Sequence, residues 1–346
     1  MLPGKTILVT GCSGLLGPWL CDALLDAGAK VIGIDKQFPV SSRINRLSER
    51  IELIEGNVRD ERLIGNVLSQ HNVSFVHHLA AQALVGVAAK DPVGTFRDNV
   101  EGTWTILEAA RKRRDQDGLY CGVLVASSDK AYGEHTNLPY RENFPLQGRY
   151  PYDVSKSCAD LIAQSYHHSY KLPVCIVRCG NLFGAGDLNL SRIVPGTIVS
   201  LLRGERPIIR SDGTPVRDYI YVHDAALALV AISSAMLQSE AIDGQSFNIS
   251  NDEPVSVLEI VAMLQQLMGR VDLKPQIEGT AALEIHAQYL NSSKLRQAVG
   301  WRPRYTLKAG LSETIAWYRQ YLDHSGSETT QAESGRRNGG VLVEGS

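Results

Sequence analysis

The stretch "KTILVTGCSGLLGPWLCDALLDAGAKVIGIDK", Lys5 to Lys36, decides the architecture. "KTILVT" is a short apolar run, the pattern of a strand covered on both faces. "GLLGPWLCDALLDAG" follows with helical spacing and stops on a glycine. "KVIGID" is a second short apolar run. Strand, glycine-rich turn, helix and strand read as one right-handed crossover between parallel neighbours.

Outward from it the pattern repeats. "IELIEG", "VSFVHHLA", "YCGVLVAS" and "LPVCIVR" continue the strands, with helices expected over 60–71, 92–114 and 152–170. Such alternation is the signature of a parallel sheet covered on both faces, with ligands at the carboxyl ends of its strands. After about residue 180 it loosens into "RIVPGTIVSLLRGE", "PIIR", "DYIYV" and "SVLEIVAMLQQLMG", two helices and two short strands. The fold class is α/β: a doubly wound parallel Rossmann sheet over 1–180, with later segments near 215–250 interleaved. A smaller C-terminal α/β substrate lobe occupies mainly 181–323. The polar, Gly- and Ser-rich stretch 324–346 is expected to be disordered.

Composition narrows the function classes. The chain has 346 residues, 44% of them hydrophobic, and a net charge of -2, so nothing favours nucleic acid or an anionic membrane. The one basic run, "RKRRDQD" at 111–117, ends a helix, where cations suit the dipole. No apolar run is long enough to span a membrane. Nothing resembles a secretion signal. Six cysteines without a framework spacing suggest reduced thiols and a cytoplasmic setting. Cys175 and Cys179 lack a second ligand pair at zinc spacing, so no metal is expected.

"VTGCSGLLG" sets Gly11, Gly14 and Gly17 between the first strand and the first helix. Glycines there let the backbone approach a pyrophosphate at the helix N-terminus. Ser13, Leu15 and Leu16 complete that turn. Asp35 ends the second strand, where a carboxylate can bind the adenine ribose hydroxyls and repel a 2′-phosphate. Lys36 beside it could instead receive that phosphate, but the acid favours NAD as cofactor. Asn57 and Val58 follow the third strand near the adenine, and Leu79, Ala80, Ala81 and Gln82 follow the fourth. For the "LAAQ" run, tight packing is the competing explanation.

The reacting end begins where "VLVASSDKAYGE" closes a buried strand on Ser127, Ser128, Asp129 and Lys130. "YPYDVSK" then opens a helix with Tyr152 and Lys156 on one face. A phenol, with an ordinary pKa of about 10, needs help to act as a base. A nearby ammonium favours the phenolate and can also hold the cofactor ribose.

Together "TGCSGLLG", "HHLAAQALV", "SSDKAYGE", "YPYDVSK", "RCGNLFGAGD" and "RDYIYVHDAA" resemble the extended short-chain dehydrogenase/reductases, within them the nucleotide-sugar epimerases and dehydratases. The resemblance runs from residue 5 to about 320. It implies a catalytic set of Ser128, Tyr152 and Lys156, with the pair after the hydroxyl separating subgroups. Asp129-Lys130 is similar to the "SDK" of CDP-glucose 4,6-dehydratases, although the longer insertions expected after it there are missing here. The implied chemistry is oxidation at sugar C4 with Tyr152 taking the hydroxyl proton. Lys130, if neutral, then removes the C5 proton, and Asp129, if protonated, helps the C6 hydroxyl leave. Hydride returned to C6 gives a 4-keto-6-deoxy sugar. An Asp-Lys ion pair capping the strand is the competing explanation.

The resemblance also places Asn99 near the cofactor, and Gln82, Ser128, Asn181, Arg192, Arg210 and Arg217 around the nucleotide-sugar substrate. Ile208 to Arg210 would border the base. It implies a homodimer built from helices 92–114 and 152–170. A 4-epimerase indifferent to Lys130, a reaction on a uronic acid, other nucleotides than CDP and a non-catalytic dinucleotide-binding regulator stay open.

Overall fold

The structure, a computed structural model, describes residues 2–280 and 285–337, with side chains as far as 323. In chain order the first strands are β1 (Thr6–Thr10), β2 (Lys30–Asp35), β3 (Glu52–Glu55), β4 (Phe75–His78), β5 (Gly122–Ala126) and β6 (Val174–Cys179). They are followed by β7 (Asn181–Phe183), β8 (Ile208–Ile209), β9 (Val216–Arg217) and β10 (Tyr219–Tyr221). The last four are β11 (Ser246–Ile249), β12 (Val255–Ser256), β13 (Gln276–Ile277) and β14 (Ala287–Gln288).

Seven of these form one sheet in the order β11-β6-β5-β4-β1-β2-β3, every pair parallel. The order reverses between β1 and β4, which opens a crevice at their carboxyl ends. The period-two alternation of the strands divides the core. Leu8, Ile32, Val76, Val123 and Ile176 face one side, and Ile7, Val9, Phe75, Leu124 and Val177 face the other. Each such side chain contributes about 1.5–3 kcal/mol by leaving water.

Helices cover both faces. On the side of Leu8 lie α2 (Glu61–Gln70), α3 (Val85–Lys90), α4 (Pro92–Phe96), α5 (Gly102–Asp117) and α6 (Pro151–Tyr170), with Ile64, Ile106 and Ala163 in the shared core. On the other side α1 (Gly17–Asp26) packs against the helix Val222–Met236. The helix expected over 92–114 is not uniform. A π-turn, Arg97–Glu101, separates α4 from α5 and turns Asn99 into the interior. Such bulges are common at functional sites.

The later helices are α7 (Ile193–Leu202), α8 (Val222–Met236), α9 (Val257–Met268), α10 (Ser293–Val299) and α11 (Leu307–Arg337). Small ladders join the C-terminal strands: β7 with β10, β8 with β13, and β12-β9-β14. The strand β11 returns to the main sheet beside β6. The backbone of α11 continues to Arg337, so the first part of the stretch expected to be disordered is helix, and no proline interrupts it. The remainder, 338–346, lies outside the described residues.

Candidate active site

The glycine turn has the shape a dinucleotide needs. Gly11 has φ +71°, and a Cβ there would lie 2.7 Å from the Ala80 nitrogen. At Gly17 a Cβ would lie 2.5 Å from Cys12 Cα, so the glycine lets α1 close onto the strand. Gly14 is open, with nothing nearer than the Gly11 carbonyl at 3.4 Å. Turn, open approach and close helix packing are the three uses of glycine in a pyrophosphate cradle. Leu16 immediately precedes α1 and is buried, with Leu15 half-buried beside it.

Ser13 donates to Asp35 Oδ2 from its amide at 2.9 Å and from its hydroxyl at 2.7 Å. That fixes the Asp35 carboxylate at the end of β2. The Lys36 ammonium is committed elsewhere, 2.8 Å from both oxygens of Asp98. It is therefore not poised for a 2′-phosphate. Asn57 Oδ1 accepts from the Arg59 amide at 3.0 Å, and Val58 is buried against Gly102.

Beyond β4 the Ala80 amide donates to Thr10 Oγ1 at 3.2 Å. Asn99 holds the next residues from inside: its Oδ1 accepts from the Gln82 amide at 2.7 Å, and its Nδ2 donates to Gln82 O at 3.0 Å. The same Nδ2 donates to Ser155 Oγ at 2.8 Å, which donates to Tyr152 O at 2.6 Å. At 2% exposure Asn99 reaches the crevice through Gln82 and α6. Residues 79–82 and the first turn of α6 thus share one buried anchor.

At the end of β5, Ser128 caps the 3-10 turn Asp129–Tyr132, accepting from the Lys130 amide at 3.2 Å. Its hydroxyl donates to Asp129 Oδ1 at 3.0 Å. Burial pushes the Tyr152 phenol up to about 12, against which the Ser128 hydroxyl and then Arg192 pull it down. Lys156, one turn further along the same helix, reaches back to the end of β5. Its Nζ donates to Ala126 O at 2.8 Å, and burial lowers its own pKa to about 8.

Asp129 and Lys130 do not pair. Lys130 Nζ donates to Gln288 Oε1 on β14 at 2.6 Å. Asp129 is 2% exposed and its Oδ2 has no hydrogen-bond partner. Three neighbours escaped the sequence reading. Burial raises Asp153 to about 6, with Lys130 lowering it and Asp129 raising it. Burial raises Asp218 to about 7, despite hydrogen bonds from Ser250 and the Leu290 amide, and Asp129 adds to the rise. Gln288 is the third. Asp218 sits in the recognised "RDYIYVHDAA" stretch, whereas Gln288 lies in no motif.

The expected substrate residues sit on or beside separate elements. Asn181 opens β7, its amide donating to Asp218 O at 2.8 Å. Arg192 precedes α7 and grips both oxygens of Asp187 at 3.0 Å, with its side chain 36% exposed. Arg210 donates to Ser191 O at 2.8 Å. Arg217 is turned inward: it is 5% exposed and donates to the carbonyls of Val216 and His286. The basic run on α5 is neutralised locally. Arg111 pairs with Glu108 and Asp115, Arg114 pairs with Asp115, and Arg113 is buried with a hydrogen bond to Asn72.

A doubly wound sheet with a glycine cradle at its switch point, and Ser, Tyr and Lys at the neighbouring strand end, defines a dinucleotide-dependent α/β enzyme. The model of the NAD dependent epimerase/dehydratase family matches residues 7–250, and the chain belongs to that family. It is 28% identical over 334 residues to a CDP-glucose 4,6-dehydratase of Salmonella typhimurium, covering 92% of each chain. A UDP-glucose 4-epimerase of Thermotoga maritima, solved with UDP-glucose, superposes with TM-score 0.83 at 27% identity, covering 92% of this chain and 100% of that one. A dTDP-glucose 4,6-dehydratase of Bacillus anthracis, solved with NAD, gives 0.80 at 25% identity, covering 92% and 97%. The fold and the NAD dependence read from the sequence hold.

Proposed function

We propose that the chain is a nucleotide-sugar 4,6-dehydratase acting on a CDP-linked hexose. The observation that carries this reading is the divergence of Asp129 and Lys130. The Lys130 amine is aimed at Gln288 and not tied to the carboxylate beside it, so the two side chains can act on different atoms of a substrate.

Gly11 to Gly17, Asp35, residues 79–82 and Lys156 would hold NAD, which supplies the acceptor and donor of hydride. Tyr152, whose phenol the neighbouring Ser128 hydroxyl favours in ionised form, takes the C4 hydroxyl proton. The ketone acidifies C5–H, and the Lys130 lone pair removes that proton. The C–H electrons become the C5=C6 bond as the C6–O bond breaks, and Asp129 gives its proton to the departing hydroxide. Hydride at C6 and a proton at C5 complete a 4-keto-6-deoxy sugar. Asn181 and Arg192 are proposed at the diphosphate, with Arg210 nearer the base. Arg217 would have to turn out of its carbonyl contacts to join them.

Association of two copies through α5 and α6 is proposed with it, since Trp104 and Leu161 lie exposed at 43% and 54%. A solution mass of one chain would remove that part. Six free thiols favour a reducing, cytoplasmic setting.

The test is to incubate the protein and NAD with CDP-, dTDP-, GDP- and UDP-hexoses and weigh the products. Loss of one water from the CDP sugar without net reduced cofactor is the expected outcome. An isomer of unchanged mass would make the enzyme an epimerase and Lys130 structural.

A further inference from the structure

Gln288 stands on β14, paired in parallel register with Arg217 on β9. The chain then runs against the loop that follows the catalytic turn. The Tyr140 amide donates to Tyr289 O at 2.9 Å, and the Asn291 amide donates to Tyr140 O at 3.0 Å. Between them the Leu290 amide donates to Asp218 Oδ2 at 3.1 Å. Residues 287–291 are therefore clamped between the C-terminal lobe and the segment that carries Lys130.

At 1% exposure, Gln288 has its Oε1 on the Lys130 amine and its Nε2 without a partner. An orphaned buried donor is costly, so the amide orientation is set by Lys130. Asp153 on α6 is a carboxylate facing this lysine, and Arg217 stands opposite Gln288. Asp153 is buried in the first turn of α6, and Asp129 accepts from Ser128. Among the described residues the hydrogen bond of this lysine goes to a neutral carbonyl.

We infer that Gln288 is a positioning residue for elimination, holding the Lys130 amine away from Asp129 without fixing a proton on it. A carboxylate in that place would orient the lysine equally well but stabilise the ammonium. The amide orients the amine and leaves its lone pair available. The inference rests on the 4,6-dehydratase reading.

The experiment uses the full chain, NAD and the nucleotide hexose that the wild type dehydrates. Three quantities are followed: formation of reduced nicotinamide on mixing, exchange of the C5 proton with deuterated solvent, and loss of water. Gln288→Leu is expected to retain the first and slow the other two by about 10- to 100-fold, as a displaced catalytic group does. Gln288→Glu is expected to move the acidic limb of the water-loss rate to higher pH. Unchanged elimination in Gln288→Leu, or a Gln288→Glu profile superimposed on the wild type, overturns the inference alone. Loss of all three quantities together in both variants overturns it in favour of a structural role. A wild type that only isomerises its substrate overturns the dehydratase reading itself, and this inference with it.

Discussion

Lys130 and Asp129 share a peptide bond, yet the lysine amine lies 2.6 Å from Gln288 Oε1 while the aspartate accepts from Ser128. Lys130→Met should therefore separate the two halves of the reaction. Oxidation at C4 persists, and water loss falls by about 100- to 10,000-fold, the usual contribution of a positioned acid or base. Product masses together with reduced-nicotinamide absorbance check this. Equal loss of both halves would mean that Lys130 supports the fold.

Tyr152→Phe should lower turnover by about 100- to 10,000-fold with the unfolding transition unchanged. The partner residue adds a pH dependence. The free protein's Lys156 has a pKa brought down to about 8 by burial, so it is an ammonium below that pH and an amine above it. NAD affinity should weaken as pH rises through about 8, and Lys156→Met should remove that limb. Fluorescence titration of NAD across the range checks the sign.

Cofactor choice rests on two carboxylates. Asp35 is held by Ser13, and Asp98 occupies the Lys36 ammonium. Asp98→Asn alone should leave the preference with NAD, because Asp35 still repels a 2′-phosphate. Combined with Asp35→Ser it frees Lys36, and NADP binding should improve by roughly 10- to 100-fold, the worth of one charged hydrogen bond. Paired dissociation constants for the two cofactors decide it.

These positions differ in how far the sequence exposes them. Gly11, Gly17 and Asp35 are legible because local backbone geometry and one strand end dictate them. Ser128, Tyr152 and Lys156 are legible because a strand end and one helix turn suffice. The hydrogen bond of Lys156 to Ala126 O was not, since the direction of a lysine depends on where that carbonyl lies. Gln288 and the inward Arg217 depend on a ladder between segments distant in sequence, β9 and β14, which no periodicity announces. Burial of Arg113 inside a run of cations is likewise a tertiary fact.

Asn99→Ala should cost on the order of 3 kcal/mol, because the half-buried Gln82 amide and the buried Ser155 hydroxyl lose a partner at once. The loss should reach function as well, since residues 79–82 are released with it. A lower urea midpoint accompanied by weaker NAD binding is the expected pair of results. An unchanged midpoint would show that water replaces the amide.

Asp218 gives the stability a pH signature. Burial raises its folded pKa to about 7, so the unfolded chain ionises first as pH climbs from about 4. Its contribution is greatest in acid and is lost toward pH 7, with a slope of no more than about 1.4 kcal/mol per pH unit. Asp218→Asn cannot titrate. Its cost relative to the wild type should therefore shrink between acid and neutral pH, as read from denaturant midpoints in each buffer. A constant difference would mean the carboxyl ionises alike in both states.

Strand β11, the last in sequence to join the main sheet, carries a consequence for how the chain is made. While β6 emerges from the ribosome, its outer edge has β5 on one side and nothing on the other, because β11 follows only at Ser246–Ile249. Arg178 on that strand also waits for Ser246 to accept one of its N–H groups. An open, apolar parallel edge is a template for pairing with another nascent chain. Ribosome-bound chains ending before Ser246 are thus the species most exposed to self-association, and the passage of β11 is what retires that hazard.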